Sequence, residues 1–455
     1  MTGSRAHWLS SAFLTIIAAR SAEYYYMVAA TRLPRRTLLK LGALRFLGGI
    51  LGGALASGHA FPVLASPART ATASGRIRGV TTSISNSNSF KTSNILTLEL
   101  GTGGVEYSPI PGHLMGHSMI ALPDGGYFAV PYGDSPYTCL FLNANLTIAG
   151  ELKAEPGFGF GGHAVLLPNG RQLFGHFNRS ELLNEPSPDN FGEVFVVDLE
   201  TKKIIHRQTS DVIHAHDMII SRDKNTVIVS DDGTLGSRND NAMLSSGNPF
   251  EFIVAAPALK IYDTTSFALI KTVSLPINGS LVHIEQGLDG TVFGGVEQFV
   301  ANNPTGLSAL KAAIGKDAEN YMQDLAGDPA EAAVAFPGPL IRIDLNTGGV
   351  KEHVAVQHQD PFDLKCNAHS GYLLNVFTTS NQLSRFDPAS EQWDYVDTKK
   401  YGVEEPYGVV DLPGTPLMAI NGFQRGIAII DVTTMALVNH FDTETYGLKH
   451  MLFDA

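Results

Sequence analysis

The chain has 455 residues, of which 44% are hydrophobic and 17% charged, with 46 Gly, 24 Pro and two Cys. This composition supplies apolar surface for a large core and too little charge for a disordered chain, and Cys139 and Cys366 allow at most one disulfide and no multi-cysteine zinc or iron–sulfur site. The formal charge of −12 is unevenly spread: residues 1–68 hold seven Lys or Arg against one acid, leaving 25 basic and 43 acidic residues in the remainder, a body that repels phosphate backbones and anionic lipid and argues against a nucleic-acid partner.

At the N-terminus, Pro34-Arg35-Arg36-Thr37-Leu38-Leu39-Lys40 precedes an apolar stretch, residues 41–56, that is rich in Gly and Ala and interrupted by Arg45. Paired arginines, two leucines, a lysine and a mild apolar core read as a twin-arginine export signal, although Pro34 stands where such signals usually carry Ser or Thr. An ordinary secretory signal is the competing reading. The glycines and Arg45 make this segment a poor membrane anchor, and small residues near Ala60 and Ala68 offer cleavage sites. The expected division is a leader over 1–68, with Met27 as a second start, and an exported, periplasmic domain over 69–455 without a stable anchor.

Beyond residue 90, short β-branched and aromatic runs alternate with turn residues, and helical periodicity is scarce outside an Ala/Leu-rich insertion at 306–325, where one helix is expected. Two turn signals recur in step. The first comprises Leu122-Pro123-Asp124-Gly125, Leu167-Pro168-Asn169-Gly170, Ser221-Arg222-Asp223-Lys224, Gly287-Leu288-Asp289-Gly290, Ala368-His369-Ser370-Gly371 and Leu412-Pro413-Gly414. Most carry the Gly that a tight hairpin needs. The second is an apolar run ending at Asn143, Asp198, Asp263, Asp344, Asp387 or Asp431, with a Ser or Thr close behind in most of them, where the side chain closes a turn on its own backbone. Successive members of this second set lie 55, 65, 81, 43 and 44 residues apart. A unit of about 44 residues with loop insertions is the size of a four-stranded propeller blade. Six units are visible, and residues 447–455, joined to strands near 78–85 and 95–100, complete a seventh. The expectation is an all-β, seven-bladed propeller whose terminal strands share one blade and leave no sheet edge open at the closure.

The runs Gly161-Gly162-His163-Ala164-Val165, Ile213-His214-Ala215-His216-Asp217 and Ser280-Leu281-Val282-His283-Ile284, together with the paired-arginine leader, resemble an exported bacterial propeller family of unknown function within the YVTN/quinoprotein-like propellers. Members of that family often accompany imelysin-type iron-acquisition genes. The resemblance covers residues 110–440 and implies the fold and the compartment; the insertion at 302–334 and the residues around His216 depart from the family pattern.

Histidine recurs at one register. His117 lies seven residues before Asp124, His163 six before Asn169, His216 seven before Asp223 and His283 six before Asp289; Asp363, Tyr407 and His450 stand at the corresponding places in the remaining units. Equivalent positions on innermost strands converge at one mouth of the channel, and imidazole suits Zn, Cu, Fe or Ni. A metal set of His117, His163, His216 and His283 is therefore expected, supported by His214, Asp217, Glu285, Asp363, Tyr407 and His450. The competing reading makes these histidines hydrogen-bonded ties between blades, and Asp217 and Glu285 surface acids. Gly157-Phe158-Gly159-Phe160-Gly161-Gly162 reads as a blade-linking loop because no helix follows to receive a phosphate. Asp231-Asp232-Gly233 and Asn239-Asp240-Asn241 read as solvated loops without the spacing of a calcium site.

Two functions compete. One is a periplasmic binding or assembly module with a protein partner or small ligand, associated with iron or other metal acquisition. The other is a metal- or quinone-dependent enzyme, or a lactonase-like hydrolase, using the histidine ring. The chain has no Cys-x-x-Cys-His motif for covalent haem, which favours the first.

Overall fold

The computed structural model describes residues 74–84, 90–110, 116–131, 138–179, 191–232, 234–236, 251–253, 257–275, 280–297, 340–353, 361–378, 381–423, 425–445 and 447–454. The expected leader, the expected helix at 306–325 and Asn239-Asp240-Asn241 lie outside these residues. The propeller lies in the compact unit of residues 73–82 and 92–455.

Seven four-stranded antiparallel sheets follow one another along the chain. Blade one comprises Gly116–Ala121, Tyr127–Pro131, Thr138–Leu142 and Ile148–Lys153; blade two, Phe158–Leu166, Gln172–Arg179, Glu193–Asp198 and Lys203–Thr209. Blade three comprises Ala215–Ile220, Thr226–Asp231, Ala258–Asp263 and Leu269–Ser274, with a small hairpin, Thr234–Gly236 and Glu251–Ile253, inserted; blade four, Ser280–Gln286, Val292–Glu297, Leu340–Ile343 and Val350–His353. Blade five is Pro361–Cys366, Leu373–Phe377, Gln382–Asp387 and Gln392–Asp397; blade six, Pro406–Asp411, Leu417–Gly422, Arg425–Asp431 and Ala436–Glu444. Blade seven joins C-terminal Met451–Asp454 to Arg76–Ile84, Phe90–Glu99 and Val105–Ile110. All twelve recurrent turns fall between the first and second or third and fourth strands of their blades, as their chemistry requires. In the first set, Gly125, Gly170, Gly290, Gly371 and Gly414 have φ between 65° and 84°, and Lys224 takes the same conformation at φ 64°.

First strands of successive blades touch in a closed cycle, from blade one through blade seven and back to blade one. Each of the seven blade interfaces holds its own buried apolar cluster. Between blades one and two, Phe128, Phe141, Phe160, Phe177 and Phe195 interlock, whereas Ile77, Leu96, Leu98, Ile427, Ile429 and Leu448 fill the space between six and seven. Middle strands such as Tyr127–Pro131 and Leu373–Phe377 are buried along their whole length, because a neighbouring blade covers each face. Outermost strands such as Ile148–Lys153 are mostly exposed or half-buried. This layout explains the clear turn signals and the absence of simple apolar alternation.

Two sequence expectations are corrected. Residues 158–162 belong to the inner strand of blade two rather than to a linking loop. Asp231 and Asp232 are buried, not solvated, since the Asp231 carboxylate accepts the backbone N–H groups of Ile213 and His214. Cys139 and Cys366 are both free and buried, in blades one and five, and burial pushes the Cys366 thiol up to about 12. Among the described residues no helix is long and apolar enough to cross a membrane.

Candidate metal centre

In each of blades one to six, the inner strand is bulged at the residue that faces the channel neck. The pairing register breaks around His117, His163, His216, His283, Phe362 and Tyr407 in turn. A bulge inserts an unpaired residue and re-aims its side chain. In blade two, Gly162 precedes His163 at φ 86°, a backbone conformation that a Cβ disfavours. His450, immediately before the inner strand of blade seven, completes the ring.

The neck is packed with aromatic rings. His117 lies 4.8 Å, centroid to centroid, from His163 and 4.7 Å from His450; His163 is 4.6 Å from His450 and 5.7 Å from His283; His283 is 4.9 Å from both His450 and His216. Phe362 touches His283 at 5.5 Å and packs against Tyr407 at 3.8 Å. One nitrogen from each of His117, His163, His283 and His450 lies within 4.8 Å of the other three. Two imidazoles on one ion, with metal–nitrogen bonds of about 2.0–2.1 Å and a near-tetrahedral angle, have centroids about 5 Å apart. The observed spacings are of that size.

Carboxylates hold three of the rings from behind. His163 Nδ1 lies 3.2 Å from Asp217 Oδ1, His450 Nδ1 3.4 Å from Asp363 Oδ2, and His216 Nδ1 3.7 Å from Asp232 Oδ2. Asp217 and Asp363 are also inter-blade ties built alike. Each accepts the next residue's N–H on Oδ1, and each accepts a backbone N–H from the following blade, Ile284 or Val409, on Oδ2. A carboxylate at Nδ1 fixes the tautomer and leaves Nε2 as the ligand atom. His163 Nε2 lies 3.0 Å from His117 Nε2, and His450 Nε2 is buried without a hydrogen-bond partner.

His283 is the most telling member. Its side chain is 1% exposed, and neither Nδ1 nor Nε2 has a hydrogen-bond partner. A buried, unsatisfied polar nitrogen costs about 1–3 kcal/mol. Burial, and secondarily the neighbouring His450, push the His117, His163 and His283 imidazoles well below their usual range, so the rings are neutral lone-pair donors at neutral pH. Burial also lowers His216, against the pull of Asp232, and raises the Asp217 carboxyl.

The expected set is thus rearranged. His117, His163 and His283 converge; His450, expected as support, is the fourth member, and His216 stands one place further along, against His283. Asp363 does not occupy the ring position of blade five. The bulge puts Phe362 there and turns Asp363 to His450, an offset of one residue that counting back from the hairpin does not reveal. Tyr407 holds its ring position but packs at a tilt against Phe362 and Phe423. His214 Nδ1 donates to Asp232 Oδ2 at 2.8 Å and stays outside the four-histidine group. Glu285 pairs with Lys365 at 3.9 Å rather than with a histidine; burial raises its carboxyl, while Asp363, Glu285 and Asp217 overcome burial to raise the Lys365 ammonium. His176 is hydrogen-bonded within its own blade, to Asn178 and Ser210, both at 2.8 Å, and burial lowers it to about 3, whereas the contact of His163 with Asp217 ties blade two to blade three.

No protein-family model matches the chain, and no curated protein matches it. Among solved structures it is similar to a chain of hydrazine synthase from Kuenenia stuttgartiensis, with a TM-score of 0.52 over 84% of this chain and 99% of that one, at 11% identity. At that identity the likeness concerns the fold alone.

Proposed function

We propose that the protein is a periplasmic metal-binding module, in which His117, His163, His283 and His450 hold one first-row transition ion, Zn, Cu or Fe, at the neck of the propeller. The observation that carries this reading is the convergence of four imidazoles, three buried and His163 half-buried, with His283 lacking any hydrogen-bond partner. A histidine held for structural reasons has partners on its nitrogens, as His176 does and as His163 and His450 do on Nδ1, whereas His283 has none on either. Neutral nitrogen donors favour these ions over Mg or Ca, which take oxygen. Asp217 and Asp363 stand directly behind two of the rings and would offset the charge of a buried dication. Four protein donors fill a tetrahedral shell and leave no open position for substrate, which supports holding or delivering an ion over turnover. Association with metal acquisition, and a protein partner that receives or supplies the ion, follow from this reading.

Titration of chelator-stripped protein with Zn, Cu and Fe tests it. Wild type is expected to retain a tightly held ion through gel filtration, and His163→Ala/His283→Ala to bind it at least ~100-fold more weakly, since two of four donors are gone. Equal binding by the two proteins would remove the ring as the site. For the compartment, replacing Arg35 and Arg36 with lysine is expected to leave the folded chain in the cytoplasm. Unchanged periplasmic levels would overturn the twin-arginine assignment.

A further inference from the structure

His283 poses a problem of nitrogen accounting that one ion does not solve. A neutral imidazole has one lone pair and one N–H. For His163 and His450, an ion at Nε2 and a carboxylate at Nδ1 satisfy both nitrogens. In His283 an ion takes one nitrogen, and the other remains buried with no acceptor. The imidazole beside it outside the four-histidine group is His216, whose centroid is 4.9 Å away at an interplanar angle of 86°. Asp232 Oδ2 faces His216 Nδ1 at 3.7 Å and accepts from His214 Nδ1 at 2.8 Å. His216 is therefore oriented like His163 and His450, with Nε2 as its ligand atom, and its spacing to His283 is again that of two imidazoles sharing an ion.

We propose that His283 bridges two metal ions: the first in the four-histidine group, the second between His283 and His216, with Asp232 orienting His216 and solvent completing the second shell. This inference rests on the four-histidine reading above and adds to it. Ligation at both nitrogens displaces the remaining ring proton of His283 to solvent, so the bridge is an imidazolate carrying one negative charge between two dications. No oxidant or reductant takes part. The neck becomes a two-station site in which a weakly held outer ion sits one ligand exchange from a firmly held inner one.

Copper(II) is the probe, because an imidazolate bridge couples two Cu(II) spins. Wild-type chain loaded with Cu(II) and passed through gel filtration is expected to carry two equivalents, with an integrated EPR intensity far below that of two isolated ions. His216→Phe, a replacement for which Phe362 at the equivalent bulge of blade five sets the precedent, is expected to carry one equivalent with the full mononuclear signal. His216→Gln, checked by near-ultraviolet circular dichroism, gives a second variant should phenyl disturb the fold. One equivalent in wild type and variant alike would overturn the bridge while leaving the four-histidine site standing. Two equivalents with full, uncoupled intensity would overturn the bridge as well. No bound copper in either protein would end both readings.

Discussion

Deletion of residues 447–455 is expected to abolish cooperative folding of the propeller. The deleted segment contributes Leu448 and Met451 to the core between blades six and seven, where both are less than 10% exposed. Removing each buried side chain costs about 2–5 kcal/mol. It also strips Arg76–Gly79 of its antiparallel partner, so the strand Arg76–Ile84 becomes an edge facing the channel. Two further ties go with it: the Asp454 carboxylate, which accepts the Tyr127 hydroxyl at 2.6 Å and lies 3.4 Å from Arg78, and the Leu448 carbonyl, which accepts Asn421 Nδ2 at 2.9 Å. The summed loss, on the order of 5–10 kcal/mol, matches the whole stability of an ordinary domain. Urea unfolding followed by near-ultraviolet circular dichroism should show a broad or absent transition in the truncated chain. A cooperative transition at the parent midpoint would mean that the terminal strand does not close the ring.

The blade count and the closure were legible because the turns are chemically explicit. Asp-Gly or Asn-Gly marks three of the inner hairpins and Gly two more, and Asp or Asn with a following Ser or Thr marks the outer ones, as when Asp344 Oδ2 accepts the Thr347 hydroxyl at 2.7 Å. Convergence of the histidines was legible for the same reason, since equal distances from equivalent turns put residues on equivalent positions of rotationally related strands. What stayed hidden lies within one residue of the bulges. A bulge shifts which side chain faces the axis, and nothing in Pro361-Phe362-Asp363 says whether the aromatic or the acid takes that place. Carboxylate backing was half visible: Asp217 follows His216 in sequence yet serves His163 of the preceding blade, because on a strand adjacent residues point apart. Asp232 read as loop because two acids before a glycine usually are, and its burial follows from the imidazoles of His214 and His216.

Acid sensitivity of the metal-free chain follows from the same neck. With a chelator present, stability is expected to fall as the pH drops below about 6. His117, His163, His216 and His283 are buried neutral and lowered by burial, and burial holds His176 at about 3. Unfolded, each takes up a proton near pH 6.5. The unfolded chain therefore binds more protons below that pH, and the stability these groups contribute is present above it and lost as pH falls. Four acids work in the opposite sense. Burial raises Asp217, Glu285 and the half-buried Asp411, and Asp231 to about 6, so their folded forms take up protons before their unfolded ones do. The histidines outnumber these acids, so the unfolded chain gains the more protons as pH falls, each proton of difference being worth about 1.4 kcal/mol per pH unit. Bound metal opposes this loss as long as it competes with protons for the ring nitrogens, and at a thousand times its dissociation constant it adds about 4 kcal/mol at neutral pH. Urea midpoints at pH 7, 6 and 5, with chelator and with excess zinc, should therefore diverge most at pH 7 and converge on acidification as protons displace the ion. Chelated protein equally stable at pH 7 and pH 5 would show that the imidazoles are not held neutral, and with that the lone pairs on which the metal site depends would be absent.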